Sequence, residues 1–490
     1  MHAQRTRRSA RLILLLIGLL LLARLAAMAL MPLMDTTEAR YGEIGRKMAE
    51  LGDWVTPWID YGVPFWGKPP LSFWLTAASF EGLGVSEFTA RLPHLLCGVL
   101  IAAIVWRLAR PRSRSEALTA IALLAGSVLF FVACAAVMTD TALVLGTTLA
   151  MSGFWLAVHD PSPAARRLHG WLFFLGIAIG LLAKGPVAGV LIASPLLTWT
   201  ALSPRRGEVW RRLHWLGGLL LIAAIALPWF AFAERRTPGF LQYFLVGEHW
   251  HRFVTPGWKG DLYGTAHRYP MGAIWAFAFG ALLPWSVLLP VAAWWWRKEA
   301  PRAEAAADDR PWRRYLLLWS LTPLVFFTPA RNVLWTYVLP AAPALALLVA
   351  GWLLRRVPPE RAQAWLAGGL ATSLVVATGG LVAAMGSLRF EHLSTATMVR
   401  AYEQHRAPGQ ALVFIGHRPS SAMFYSRGKA LLAKDGDALG SDISGPGVFV
   451  AVPLGGSVPQ GRAAAAALVG HFGPFDLRYL APIAPSRAQP

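Results

Sequence analysis

Acid and cysteine are scarce in this chain. Asp and Glu number 26 among 490 residues, against 46 Lys and Arg, and only 15% of residues carry charge. A soluble surface needs more charge than that, so a soluble globular fold is excluded. The two cysteines, Cys97 and Cys134, both lie inside apolar runs. That excludes a disulfide framework and a cysteine-based metal site, and leaves both as packing residues. Apart from Arg24, the interiors of the long apolar stretches are nearly free of charge.

What is present instead is apolar bulk. Hydrophobic residues make up 56% of the chain and the mean hydropathy is +0.46, values that fit a polytopic membrane protein. The formal net charge of +20 would suit nucleic-acid binding in a soluble protein. Here the excess is arginine in short loops between apolar runs, which is an orientation signal, so no nucleic-acid partner is expected. The N-terminal "MHAQRTRRSARLILLLIGLLLLARLAAMALM" has a basic head and an apolar run too long for a signal peptide. It is read as a retained first span starting on the cytoplasmic side.

Apolar runs occur near 12–33, 92–109, 118–137, 141–158, 171–183, 186–202, 214–233, 271–296, 315–328, 334–353 and 364–387. They predict about eleven spans, thirteen at most, with the pair near 171–202 open to another division. From an inside N-terminus, alternation makes Arg5–Arg11, Arg107–Arg114, Arg166–Arg167, Arg205–Arg212, Arg297–Arg314 and Arg355–Arg361 cytoplasmic. Each is short and arginine-bearing, as the positive-inside rule requires. One wrong span would invert everything downstream, and the pattern holds to the end. Residues 1–387 therefore read as the membrane domain. Residues 388–490 read as a small outer α/β domain, with strands at "ALVFIG" and "GVFVAVP" and helical stretches near 420–427 and 460–470. Two more outer segments are long, 34–90 and 234–270. The first carries two candidate surface helices, "TEARYGEIGRKMAEL" and "PPLSFWLTAASFEGLG".

With this topology the conspicuous charges gather on one face: Asp35, Glu38, Arg40, Lys68, Asp140, Lys184, Glu248, His249, Arg252 and Arg331. An ionisable group at a membrane boundary is costly unless paired, solvated or used, so the set suggests a polar reaction chamber on an apolar base. Asp35 and Glu38 lie three apart just before Arg40, suited either to acid–base work or to helix capping. Lys68 lies between aromatics before two prolines, as a snorkelling residue or as a point charge for phosphate. Asp140 and Lys184 occupy near-loopless junctions between apolar runs, and "TPARNVLWTYVLP" places Arg331 and Tyr337 at another. His249 and His251 flank Trp250 beside Glu248, yet a zinc site needs about three or four convergent ligands. The set is incomplete, and a bound divalent metal is not expected.

In order along the chain, "EARYGEI", "GDWVTP", "GVPFWGKPPLSFWL", "EFTARLP", "MTD", "LLAKGP", "GEHWHRF" and "YVLPAAPALALL" resemble the membrane glycosyltransferases related to lipid A aminoarabinose transferase and the protein O-mannosyltransferases. The likeness covers roughly residues 12–350 and is strongest over 35–93. It implies a C-type glycosyltransferase fold in the bacterial inner membrane with a periplasmic active site. It also implies an inverting transfer from a polyprenyl-phosphate sugar to a lipid, lipid A among them, or to a protein. By motif position it implies a catalytic first-loop acid, Asp35 or Glu38, supported by Asp140. Arg40, Tyr41, Lys68, Lys184, His249, Arg252 and Arg331 would lie at the donor phosphate, with Glu248 and Tyr337 at the substrate. Two departures are visible. Thr37 stands where aminoarabinose transferases tend to carry Asp, and Gly67 stands where they tend to carry Glu. The rival classes are a transporter or flippase of lipid-linked sugars and a non-catalytic scaffold. The first would place its charges near the midplane, and the second would not need Asp140 and Lys184 at tight outer turns.

Overall fold

The computed structural model describes residues 2–204, 206–264, 267–295, 310–357, 359–386, 391–434, 447–456 and 466–482. The chain opens with α1 (His2–Leu30), followed by α2 (Thr37–Leu51), a small hairpin of β1 (Trp58–Asp60) and β2 (Val63–Pro64), and α3 (Leu71–Leu83). The bundle continues with α4 (Glu87–Ala109), α5 (Arg114–Gly126), α6 (Val128–Ala133), α7 (Thr139–His159), α8 (Pro163–Lys184), α9 (Pro186–Ala201), α10 (Arg206–Arg212) and α11 (Trp215–Arg236). A π-helix, Gln242–His251, leads into the single turn α12 (Arg252–Val254). Then come α13 (Ala273–Ala281), α14 (Trp285–Trp295), α15 (Arg310–Phe327), a 3₁₀ segment Trp335–Ala341, α16 (Ala342–Arg356) and α17 (Pro359–Gly386).

Each of the eleven apolar runs coincides with helix, but not each with a full-length span. Among the described residues seven helices are long and apolar enough to cross a membrane, or eight if α13 and α14, bent by 87°, form one broken span. Counted by helix length alone, fewer than eleven qualify because several runs fold as short or interrupted helices. The 118–137 run breaks at Ser127, whose hydroxyl donates to the Leu124 carbonyl between α5 and α6. α9 has only 16 residues. Leucines of α1 such as Leu14 and Leu22 are 57% and 62% exposed, as suits a lipid-facing helix.

The pair α7–α8 positions the site. Small residues let the two backbones touch: a methyl group on Gly176 would lie 2.4 Å from the Ala150 amide nitrogen, and one on Gly146 2.6 Å from that of Gly180. The helices run antiparallel, so the first turn of α7 and the last turn of α8 end level, bringing Asp140 beside Lys184. Gly185 then turns the chain into α9 at φ 72°, and its missing side chain leaves room for the Phe244 ring, which a Cβ would approach to 2.6 Å.

The two predicted surface helices of the first outer segment are α2 and α3, packed together over a core of Tyr41, Phe65, Phe73 and Phe80. Beyond α17 the chain forms α18 (Ala396–His405), β3 (Ala411–Ile415), α19 (Ser420–Tyr425), β4 (Leu431–Ala433), β5 (Val448–Pro453), β6 (Ala466–Phe472) and β7 (Phe475–Leu480). The sheet order is β4-β3-β5-β7-β6, parallel about β3 and antiparallel beyond β5. The helical expectation near 460–470 is corrected here. Residues 466–472 are an edge strand registered on β7, where backbone pairing outweighs the alanine-rich composition. Residues 457–465 lie outside the described set. Phe424 of α19 inserts into the α2–α3 core, so this outer unit is seated on the first outer segment.

Candidate active site

The π-helix and the "GKPP" turn bring one carboxylate and two cations together. Lys68 Nζ lies 2.9 Å from Glu248 Oε2 and 2.5 Å from the Gly67 carbonyl. Arg252 donates to both Glu248 oxygens at 3.0 and 2.9 Å, and lies 3.4 Å from Asp261. The Tyr243 hydroxyl completes the ring at 3.1 Å. Burial opposes charge on Glu248, but Lys68 and Arg252 overcome it and hold its carboxyl down to about 2. Burial likewise works against charge on Lys68, and Glu248 more than offsets it, so the ammonium is held above its ordinary range. These groups stay ionised at neutral pH.

Beside them Lys184 donates to Asp140 at 2.6 Å and lies 4.6 Å from the centre of the Tyr337 ring. His249 is fixed between two carbonyls, with Nδ1 2.7 Å from Phe244 O and Nε2 3.2 Å from Lys184 O. Both ring nitrogens face oxygen, which is poor geometry for metal ligation. No metal-competent cluster of His, Cys, Asp and Glu occurs among the described residues. At position 67 a Cβ would lie 2.7 Å from the Phe65 ring, so a larger residue there would have to displace that ring.

Two cavities meet at this row. One, of about 360 Å³, is walled by apolar groups of α9, the π-helix and α15, among them Val190, Leu191, Leu245 and Phe326. The other, of about 740 Å³, has the more polar wall of the two and is bordered by residues of the C-terminal unit, with Asp35, Arg40, Tyr41, His392 and His417 in its wall. Lys68, Asp140, Lys184, Glu248, Arg252 and Tyr337 line both.

The two first-loop acids are placed differently. Glu38, in the first turn of α2, is gripped by Arg91 of α4 through two bonds of 2.7 and 2.6 Å. It also accepts the Met34 and Val137 amides at 3.3 Å. Arg91 closes the knot by donating to the Met28, Met31 and Pro32 carbonyls. Burial opposes the charge on Glu38, yet Arg91 holds its carboxyl low. Asp35 precedes α2, so the two acids do not share a helix face, and it bonds Ser421 of α19 through both oxygens. Burial pushes its carboxyl above the ordinary range, against the pull of Ser421. An elevated, chamber-lining carboxylate suits a base, and a clamped one suits structure. Glu38 bonds the loop ahead of its helix through Met34, while Arg40 donates elsewhere, to the Tyr263 carbonyl at 2.8 Å.

Nine of the residues singled out from sequence therefore share the chamber region: Asp35, Arg40, Tyr41, Lys68, Asp140, Lys184, Glu248, Arg252 and Tyr337 line the polar cavity. His249 lines only the apolar one. Arg331 lines neither, and its backbone carbonyl accepts from Tyr269. Arg91, Asp261, Tyr263 and the wall from the C-terminal unit went unassigned in the sequence. Arg91 stood in "TARLP" as a charge at an apolar boundary, a signal of the same kind that marked Asp140.

A helical membrane bundle with surface helices, an outer α/β unit and a cationic row between an apolar and a polar cavity has the C-type membrane glycosyltransferase fold. The structure agrees over 98% of the chain with ArnT from Cupriavidus metallidurans bound to undecaprenyl phosphate, covering 99% of that protein, at a TM-score of 0.78 and 21% identity. Residues 10–244 match the dolichyl-phosphate-mannose-protein mannosyltransferase family. The undecaprenyl phosphate-alpha-4-amino-4-deoxy-L-arabinose arabinosyl transferase of Edwardsiella ictaluri is 31% identical over 355 residues, 71% of this chain and 60% of that protein. Transferase 1 of the same description from Pseudomonas fluorescens is 32% identical over 65% of this chain and 54% of its own length. The chain thus spans under two thirds of the length of these relatives. Over these stretches the chain is similar to the aminoarabinose transferases and to the dolichyl-phosphate-mannose-protein mannosyltransferases, and it shares the fold of ArnT.

Proposed function

We propose that the chain transfers a sugar from a polyprenyl-phosphate donor to a lipid acceptor, lipid A among the candidates, with inversion, at the periplasmic face of the bacterial inner membrane. The observation that carries this reading is the meeting of an apolar and a polar cavity at one cationic row. The polyprenyl tail would occupy the apolar cavity and the phosphate would lie at Lys68 and Arg252, with the sugar in the polar chamber. The relatives' names and the undecaprenyl phosphate in the ArnT structure support a donor of this class.

As the bond from sugar C1 to the phosphate oxygen breaks, the electron pair leaves with the phosphate and negative charge grows there. Lys68 and Arg252 are already held in place by Glu248 and need little reorganisation to stabilise that charge. The acceptor oxygen bonds to C1 from the opposite face, and Asp35 takes its proton. For an already ionised acceptor such as a phosphate, Asp35 would orient rather than deprotonate it. Tyr337 and the Asp140–Lys184 pair shape the junction. A transporter reading lacks comparable support, because the charged row sits at helix ends around α7 and α8 rather than mid-span.

The test uses sealed vesicles of known orientation and radiolabelled polyprenyl-phosphate sugars with a bacterial lipid extract. Label should pass to lipid when donor and acceptor are supplied on the periplasm-derived face, with or without a chelator. Transfer only from the cytoplasmic face would overturn the orientation. Loss of transfer on chelation would overturn the metal-free mechanism, and no transfer from any polyprenyl-phosphate sugar would refute the function.

A further inference from the structure

Asp35 reaches the chamber from the membrane domain, but the groups that fix it belong to the C-terminal unit. The Ser421 amide donates to Asp35 Oδ1 at 2.9 Å and the Ser421 hydroxyl donates to Oδ2. Ser421 is fully buried. Its Oγ accepts the Thr395 amide at 3.0 Å and meets the Thr395 hydroxyl at 2.9 Å, which steers its own hydrogen toward Asp35. The Asp35 amide in turn donates to the Leu393 carbonyl at 2.8 Å. The carboxylate is thus bonded by Ser421, with Thr395 behind that serine and the Asp35 backbone tied to Leu393, while Asp35 still lines the chamber.

From this geometry we propose that Ser421 is a positioning residue for the reaction: it orients the Asp35 carboxylate toward the acceptor and stabilises its ionised form. The outer unit is then part of the catalytic apparatus as well as a cover. This rests on Asp35 being the base. Other charged groups share the wall around Asp35: Arg40 and, behind it, the Arg91-bound Glu38 on α2, Glu391 and His392 ahead of α18, and His417 and Arg418 ahead of α19. None of them is altered by replacing Ser421.

A hydroxyl that donates to a carboxylate favours the charged form, so its loss pushes the Asp35 carboxyl up. The base works ionised, and the rate therefore falls away at a higher pH. In the full-length protein, Ser421→Ala should move the acidic limb of the kcat–pH profile up by about one pH unit. The docking control is Tyr425→Phe, which removes the bond of 2.7 Å from the Leu33 amide to the Tyr425 hydroxyl, leaving Asp35 untouched. It should leave the limb in place. If the alanine variant fails to fold, Ser421→Cys keeps a weaker donor and should move the limb the same way by less. An unmoved limb in the Ser421 variants, with Asp35→Asn inactive, overturns the positioning role and leaves the base assignment standing. An equal movement in Tyr425→Phe reduces Ser421 to domain docking and also overturns it. An active Asp35→Asn removes the base assignment, and the role of Ser421 with it.

Discussion

Lys68→Ala should lower turnover by about 10²–10³-fold, the loss expected when one preorganised charge is removed from a developing anion. The side chain is only 19% exposed and its ammonium is held between the Gly67 carbonyl and Glu248, which is not the posture of a residue snorkelling to water. Glu248 keeps Arg252 and Tyr243 as partners in the variant, so the folded protein should persist. Lys68→Arg should recover part of the rate, because charge matters more than shape for a point contact with phosphate. The loss should appear in kcat, since the interaction strengthens as the leaving phosphate gains charge. A wild-type rate for Lys68→Ala, measured by transfer of radiolabelled sugar, would make this lysine a packing residue.

Asp35→Asn and Glu38→Gln should fail in different ways. The first removes a base and should cost about 10²–10⁴-fold in turnover with thermal stability largely retained. The second breaks a buried bidentate ion pair and leaves Arg91, whose side chain is 4% exposed, without its carboxylate. That should cost about 3–5 kcal/mol of stability, read as a lowered unfolding midpoint in detergent. Near-normal turnover in Asp35→Asn, beside a well-folded but inactive Glu38→Gln, would exchange the two roles.

The sequence made the frame legible because membrane insertion obeys few rules. Apolar length, loop arginine and the cost of boundary charge were enough to locate the apolar helical runs and nine residues of the chamber wall. What escaped depends on contacts far apart in the chain. The partner of Glu38 lies 53 residues away on α4, and no local pattern favoured Arg91 over the adjacent Arg40. The partner of Asp35 lies 386 residues away on a six-residue helix of another unit. The edge strand β6 was mistaken for helix because its alanines follow local propensity, whereas its state is set by pairing with β7. The breaks within apolar runs escaped for a similar reason: hydropathy registers that a segment is apolar but does not show where a residue such as Ser127 interrupts the helix.

The most direct test of the two-cavity account is photocrosslinking with a polyprenyl phosphate that carries a diazirine in its tail. The label should fall on α9 and α15, at or beside Val190, Leu191 and Phe326, and should be competed away by unlabelled polyprenyl phosphate. Label confined to the lipid-exposed faces of α1 and α17, unchanged by competitor, would contradict the account.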